Sequence, residues 1–331
     1  MLAIGAGILV ERFDVRLVVA FGCMLSGVSL LVASACKSPI ALLFTQGILL
    51  GAGGSCIQVP AVSLPGQWMK RYRAIATGIA IAGGPIGGVW MSFATRAMSL
   101  RVSGLLVIGV GLAVCPLLRN RITIPRRDKI IDTDALKNAQ FPILFFAMLF
   151  VSGGYFMPYY FMSSYTVVQL GRPAAWGANI SSIMNASSIV GRLATGVMAD
   201  YLGALNSLIL TSVISTAMIL GLWLPFRHLG TLIATAAVYG FTSGSAISLV
   251  PVITANIFGV KRLPSIIGMV LFSYAIGTFL CSPIGGVLLD KYGHGTDYSS
   301  LIIYGGVFFG VGTLLLIVLR STLTRAFTTV I

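Results

Sequence analysis

Arg192 has the least ordinary position of any charged residue in this sequence. It lies inside a largely apolar run, 176–199, with Asn185 seven residues before it and Asp200 eight residues after it. Two tyrosines, Tyr155 and Tyr159, fall in an aromatic run, Gly154-Tyr155-Phe156-Met157-Pro158-Tyr159-Tyr160. A guanidinium is a planar fork of donors that suits a carboxylate or another planar anion. With an amide and phenol hydroxyls beside it, the set Arg192, Asn185, Tyr155 and Tyr159 reads as a candidate binding site for a small organic anion. The competing reading makes Arg192 a structural residue bonded to carbonyls of a neighbouring helix. It also places Tyr159, Tyr160 and Tyr165 in an interfacial belt.

Catalytic chemistry finds no support. The eight acids, Glu11, Asp14, Asp128, Asp132, Asp134, Asp200, Asp290 and Asp297, sit in polar connections or at the ends of apolar runs. His228 and His294 also lie in connections, and no Ser/His/Asp set converges. The five cysteines are scattered singly at spacings unsuited to a metal or a redox pair, so they read as packing residues. No catalytic residue, metal or cofactor is expected, and the chain does not read as an enzyme.

The elements that position these groups follow from composition. The 331 residues are 57% hydrophobic and only 9% charged, with a mean hydropathy of +0.97. A soluble domain carries about 25% charged residues, so lipid is the solvent this chain expects. Apolar segments recur near 1–10, 17–36, 40–66, 74–95, 103–118, 141–167, 176–199, 206–225, 230–257, 264–289 and 300–319. All but the first approach the roughly 20 residues that cross a hydrocarbon core as a helix. An arginine at the centre of such a span costs about 2.5–3.5 kcal/mol on insertion scales, so it normally faces a polar cavity and has a task.

The net charge of +14 resides in short connections, which excludes nucleic acid because no continuous basic face is left for a phosphate backbone. The longest polar connection, Arg119–Gln140, holds six basic residues, Arg119, Arg121, Arg126, Arg127, Lys129 and Lys137. The positive-inside rule makes it cytoplasmic. Alternation then puts fifteen basic residues on that side against six on the other, and the C-terminus is expected to be cytoplasmic too.

The chain also repeats itself. Gly7 and Glu11 match Gly196 and Asp200; Gly54-Ser55-Cys56-Ile57 with Pro60 matches Gly244-Ser245-Ala246-Ile247 with Pro251. Lys70-Arg71 with Ile75 and Gly78 matches Lys261-Arg262 with Ile266 and Gly268, and Pro85-Ile86-Gly87-Gly88-Val89 recurs as Pro283-Ile284-Gly285-Gly286-Val287. Four matches in one order at nearly one offset mark two related halves. Parallel repeats about the membrane normal are the architecture of major facilitator transporters. The expected fold is therefore an all-α polytopic membrane protein with two six-helix pseudo-repeats. It comprises an N-terminal half at 1–118, a central loop at 119–140 and a C-terminal half at 141–331. The offset predicts that Met1 enters late in helix two of a twelve-helix plan, with helix one and part of helix two missing.

The motifs themselves resemble one family. Gly7-Ile8-Leu9-Val10-Glu11-Arg12, continuing to Arg16, is similar to the signature loop of the major facilitator superfamily, with Asp14 in place of the usual glycine. The segments Gln67–Gly78 and Asn185–Arg192, with Gly196, Asp200 and Gly203, resemble monocarboxylate-transporter-like carriers, particularly their fungal branch. The resemblance implies that Arg192 contacts substrate. Those carriers place an aspartate one helical turn earlier, where this chain has Ser188, so the resemblance does not supply a proton-coupling acid. Glu11, Arg12, Arg16 and Asp200 stand at span ends, where such charges either latch a gate or anchor an interface. Gly87, Gly88, Gly285 and Gly286 offer smooth faces for close helix approach, and Pro85 and Pro283 free carbonyls that neighbours must satisfy.

Together these readings predict a secondary-active or facilitative carrier, a symporter or a facilitator, for a small organic solute such as a monocarboxylate. Export of a secondary metabolite, or a non-transporting sensor on the same fold, is the alternative. The expected partners are that solute and the lipid bilayer. The expected state is a monomer in the plasma membrane.

Overall fold

The computed structural model describes residues 3–36, 38–69, 72–93, 96–121, 136–260 and 263–323; for residues 3, 90–93 and 96–99 it describes the backbone alone. Most of the central loop (122–135) and the basic pairs Lys70-Arg71 and Lys261-Arg262 lie outside the described residues.

The described chain is helical throughout, with no strand. Its helices are α1 (Ala3–Arg12), α2 (Val15–Ala35), α3 (Pro39–Trp68), α4 (Arg73–Ile81), α5 (Gly83–Phe93), α6 (Arg96–Val114) and α7 (Gln140–Val168). There follow α8 (Ala174–Leu202), α9 (Ala204–Trp223), α10 (Leu229–Ser243), α11 (Ser245–Phe258), α12 (Leu263–Lys291) and α13 (Ser299–Leu323). They follow the apolar runs read from the sequence. Among the described residues, eight stretches are long and apolar enough to cross a membrane. α8, with 29 residues, is long enough but is not one of the eight. Asn179, Ser181, Ser182, Asn185, Ser187, Ser188, Arg192, Thr195 and Asp200 dilute its hydropathy. A long helix that fails on composition has a face meant for something other than lipid.

The contacts divide the chain into two compact units that cut across chain order. One comprises residues 1–70, 93–133 and 254–272, the other 71–92, 134–253 and 273–331. In the first, Ala6, Val10, Val18, Cys56 and Val59 form a buried cluster with Leu9 and Leu271, and Val15, Val19, Cys23, Leu64 and Cys115 form another. Backbones approach closely where glycines face each other. A Cβ on Gly22 would lie 2.8 Å from the Gly53 carbonyl oxygen of α3. Arg16 donates from Nε to the Leu118 carbonyl (2.9 Å), Trp68 from Nε1 to the Arg119 carbonyl (2.9 Å), and Arg121 from Nη1 to the Trp68 carbonyl (2.8 Å). The entry to the central loop is thereby stapled to α2 and α3.

In the second unit, α8 packs on α4, α10, α7 and α9, and α7 packs on α13. Hydroxyl pairs tie α9 to its neighbours, Thr211 to Ser245 and Ser215 to Thr242, both at 2.7 Å. Such pairs keep polar groups satisfied where water is absent. The turn from α8 to α9 is the single residue Gly203 at φ 90°, a conformation that favours glycine. The five cysteines are free.

The repeat read from the sequence is visible inside each unit. Gly196 of α8 lies over the start of α4, where a Cβ would be 3.0 Å from the Ile75 Cα. Its counterpart Gly7 of α1 lies over the start of α12, where a Cβ would be 2.9 Å from the Pro264 carbonyl oxygen. Among the predicted packing glycines, Gly88 and Gly285 are close approaches, to Asn185 and Phe161, whereas Gly87 and Gly286 face open space.

Two predictions follow from this packing. Gly78 has room for no side chain, because a Cβ would lie 2.7 Å from the Arg192 carbonyl oxygen, a backbone atom that cannot swing away. Gly78→Val should lower stability by about 1–3 kcal/mol, read as a fall in the thermal midpoint of the purified protein. In the turn before α13, the Asp297 carboxylate accepts from the Ser299 hydroxyl (2.7 Å) and N–H (3.1 Å) and pairs with Arg227 (3.4 Å), contacts that hold it below the usual carboxylate range. Its contribution is complete above the ordinary aspartate value of about 3.9 and is lost as pH falls through the lowered folded value. Asp297→Asn should therefore unfold below the wild type near neutral pH and converge with it in acid.

Candidate functional site

Asn185, Ser188 and Arg192 are spaced by three and four residues, so they share one face of α8. That face meets the α4–α5 segment. Pro85 is the reason the meeting is polar. A proline has no N–H, so the carbonyl four residues earlier loses its helical donor; here that carbonyl belongs to Ile81, and the helix breaks at Ala82. Arg192 supplies the missing donor, giving Nη1–H to the Ile81 carbonyl at 2.9 Å. Its Nε donates to Ser188 Oγ at 3.3 Å, and the break between α10 and α11 at Gly244 packs against its stem.

Eight residues on, Asp200 meets the other end of α4. Its carboxylate accepts from the Ala74 and Ile75 N–H groups, at 3.2 and 3.4 Å. α4 is thus held antiparallel to α8 by an acid at its N-terminus and a base at its C-terminus, each complementing the helix dipole. The spans agree: Arg192 to Asp200 rises about 12 Å along α8, and Ala74 to Ile81 about 10 Å along α4.

The Arg192 side chain is 4% exposed, and all its partners are neutral. Among the described residues no carboxylate pairs with it, and its Nη2 meets no hydrogen-bond acceptor. A buried cation without a counter-charge is costly, which makes this position a standing attraction for an anion.

The predicted companions gather in the same unit. Tyr155 is 4% exposed and lies against Tyr159, ring centroids 5.2 Å apart, and Tyr159 reaches Tyr239 at 6.2 Å. Tyr274 belongs to the same compact unit as Arg192 and Tyr155. Asn185 donates to the Ser181 carbonyl within its own helix (2.9 Å) and lies on Gly88. Glu11 is half-buried at the end of α1, Arg12 is exposed, and Arg16 holds the Leu118 carbonyl.

Sequence reasoning missed Tyr239, whose hydroxyl donates to the Tyr155 carbonyl (2.8 Å), and Tyr274, whose buried hydroxyl has no partner among the described residues. It also passed over Arg320, at the end of the last apolar run, whose side chain is 1% exposed and donates from Nε to Asn206 Oδ1 at 2.7 Å. The proline at i and carbonyl at i−4 were legible in advance. The donor that fills the gap was not, because it comes from 111 residues away.

The sequence profile described as Major Facilitator Superfamily matches residues 1–226 and again 144–329. The chain belongs to that superfamily. Its superfamily relatives include the MFS-type transporter opdF of Penicillium oxalicum, 30% identical over 96% of this chain and 77% of that protein. The aspyridones efflux protein apdF of Emericella nidulans is 30% identical over 84% of this chain and 60% of that protein. Among solved structures, the E. coli fucose:proton symporter FucP superposes with a TM-score of 0.74 over 96% of this chain and 87% of its own, at 14% identity, a likeness of fold alone. The chain is accordingly a multi-pass membrane protein of a transporter superfamily and not an enzyme.

The Asp200 clasp yields a graded prediction. Asparagine keeps an acceptor for the α4 N–H groups but loses the charge, whereas alanine loses both. Asp200→Ala should lower stability by about 1–2 kcal/mol and Asp200→Asn by less, measured by thermal unfolding in detergent.

Proposed function

We propose that this chain moves an organic anion of secondary-metabolite type across the membrane by alternating access, in the export direction, with Arg192 as the anion contact. The observation that carries the reading is a buried guanidinium whose protein partners are all neutral. A substrate bearing a negative charge completes what the fold leaves uncompensated, and Tyr155, Tyr159 and Tyr274 of the same unit offer hydroxyl donors and flat surface for its remainder. Asn185 holds the α5 approach through Gly88. The efflux role named for apdF supports the direction and the class of cargo.

The same unit suggests how access alternates. Asp200 on the first turn of α4 is a contact that a rocking motion would make and break, with Glu11 and Arg12 in the corresponding place on α1. Gating then resides in charges at helix ends, and binding in the interior of α8.

The test is transport by the full chain in secretory vesicles or whole cells, with a panel of ionised aromatic acids and phenols. Flux should be saturable for some members of the panel. Arg192→Ala should reduce it at least tenfold, with Arg192→Lys recovering only part, because an ammonium does not reproduce the guanidinium's bond to Ile81. Wild-type flux from Arg192→Ala would remove the residue from the site.

A further inference from the structure

The end of the first compact unit from which the central loop departs carries cations that the transport reading does not use. Arg16, Arg119 and Arg121 are tied to Trp68 there by three hydrogen bonds. Arg16 gives Nε–H to the Leu118 carbonyl (2.9 Å), Trp68 gives Nε1–H to the Arg119 carbonyl (2.9 Å), and Arg121 gives Nη1–H to the Trp68 carbonyl (2.8 Å). The Arg121 guanidinium also lies over the Trp68 ring, 5.8 Å from its centroid. Two guanidiniums are thus fixed in place at the cost of one N–H each. Among the described residues none of the three arginines pairs with a carboxylate. Asp14, two residues before Arg16, has its Oδ1 on the Arg16 backbone N–H.

The residues around this network are apolar and open. Phe13, Leu17, Trp68 and Leu117 are each at least half exposed. Exposed apolar and aromatic side chains interleaved with unpaired guanidiniums, at helix ends, mark the boundary between hydrocarbon and headgroups.

We propose that this network binds an anionic phospholipid of the leaflet nearest the central loop, whose headgroup accepts from the uncommitted N–H groups of Arg16 and Arg121. A guanidinium reads a phosphate through a fork of two N–H groups, and Arg16 keeps both Nη groups for it. Because both guanidiniums are already held by the protein, little side-chain freedom is lost on binding. A zwitterionic headgroup brings its own cation against the same arginines and gains less. A soluble phosphate gains nothing from the exposed apolar residues, which is why the occupant is a lipid. The site lies within the first unit and depends neither on Arg192 nor on the solute.

The experiment titrates the purified full chain in detergent with short-chain phosphatidylserine, short-chain phosphatidylcholine and the soluble headgroup glycerophosphoserine, reading affinity from the rise in thermal midpoint. Phosphatidylserine should bind more than about tenfold tighter than phosphatidylcholine, and glycerophosphoserine should have no effect. Arg16→Gln and Arg121→Gln should each weaken phosphatidylserine by about fivefold, the surface attraction of one arginine, and leave phosphatidylcholine unchanged. Arg121 is exposed, so Arg121→Gln decides alone should Arg16→Gln not fold. Arg101→Gln, near the opposite end of α6, removes the same charge and should change nothing. An equal loss from Arg101→Gln overturns the proposal, because net charge then attracts the lipid. Glycerophosphoserine binding as tightly as the lipid overturns it in favour of a soluble anion. A wild type without preference, or one that gains it only when Asp128, Asp132 and Asp134 are changed to Asn, overturns it in the latter case by making the loop's own acids the occupant.

Discussion

The bond from Arg192 to the Ile81 carbonyl resolves two liabilities at once. Pro85 leaves a carbonyl without its helical donor, and a lipid environment offers no water to replace it. Arg192 carries a charge that a membrane helix otherwise excludes. Each group is what the other lacks, and the bond sets the register of α8 against α4. Once that register is set, Asp200 falls at the first turn of α4, Gly78 and Gly196 fall where backbones must nearly touch, and Asn185 falls on Gly88. A shift of either helix by one turn would break several of these contacts together.

The repeat gives this arrangement a comparison within the molecule. Gly7 meets the start of α12 as Gly196 meets the start of α4. At the offset of that pair, position 192 corresponds to Ala3, and α12 runs unbroken through the residues that correspond to the Ala82 break. The broken helix belongs to the N-terminal half and the arginine to the C-terminal half, where Pro283 repeats Pro85 within an unbroken α12. The glycine packing and the proline are shared by both halves, and the bond from Arg192 to the Ile81 carbonyl is added to them.

Much of the fold was legible in the sequence. Charge scarcity, the recurring apolar runs and the internal repeat pointed to a polytopic helical protein of this superfamily, and the profile match and helices agree. The site was legible only as a set of residue types. Arg192 announced itself because a charge stands out against an apolar background. Tyr239 and Tyr274 did not, because tyrosine in a membrane helix is ordinary, and Arg320 was masked by its place at the end of an apolar run.

What the sequence by itself determined was every property carried by local composition: helix, membrane, repeat, and the freed carbonyl four residues before Pro85. Only the tertiary structure decided which group answers that carbonyl. It alone showed that Asp200 caps a helix begun some 126 residues earlier in the chain, and that among the described residues Arg192 meets neutral partners alone. The physical reason is that hydropathy and helical periodicity act over a few neighbouring residues, whereas satisfying a buried donor or acceptor depends on whichever group packing brings within 3 Å.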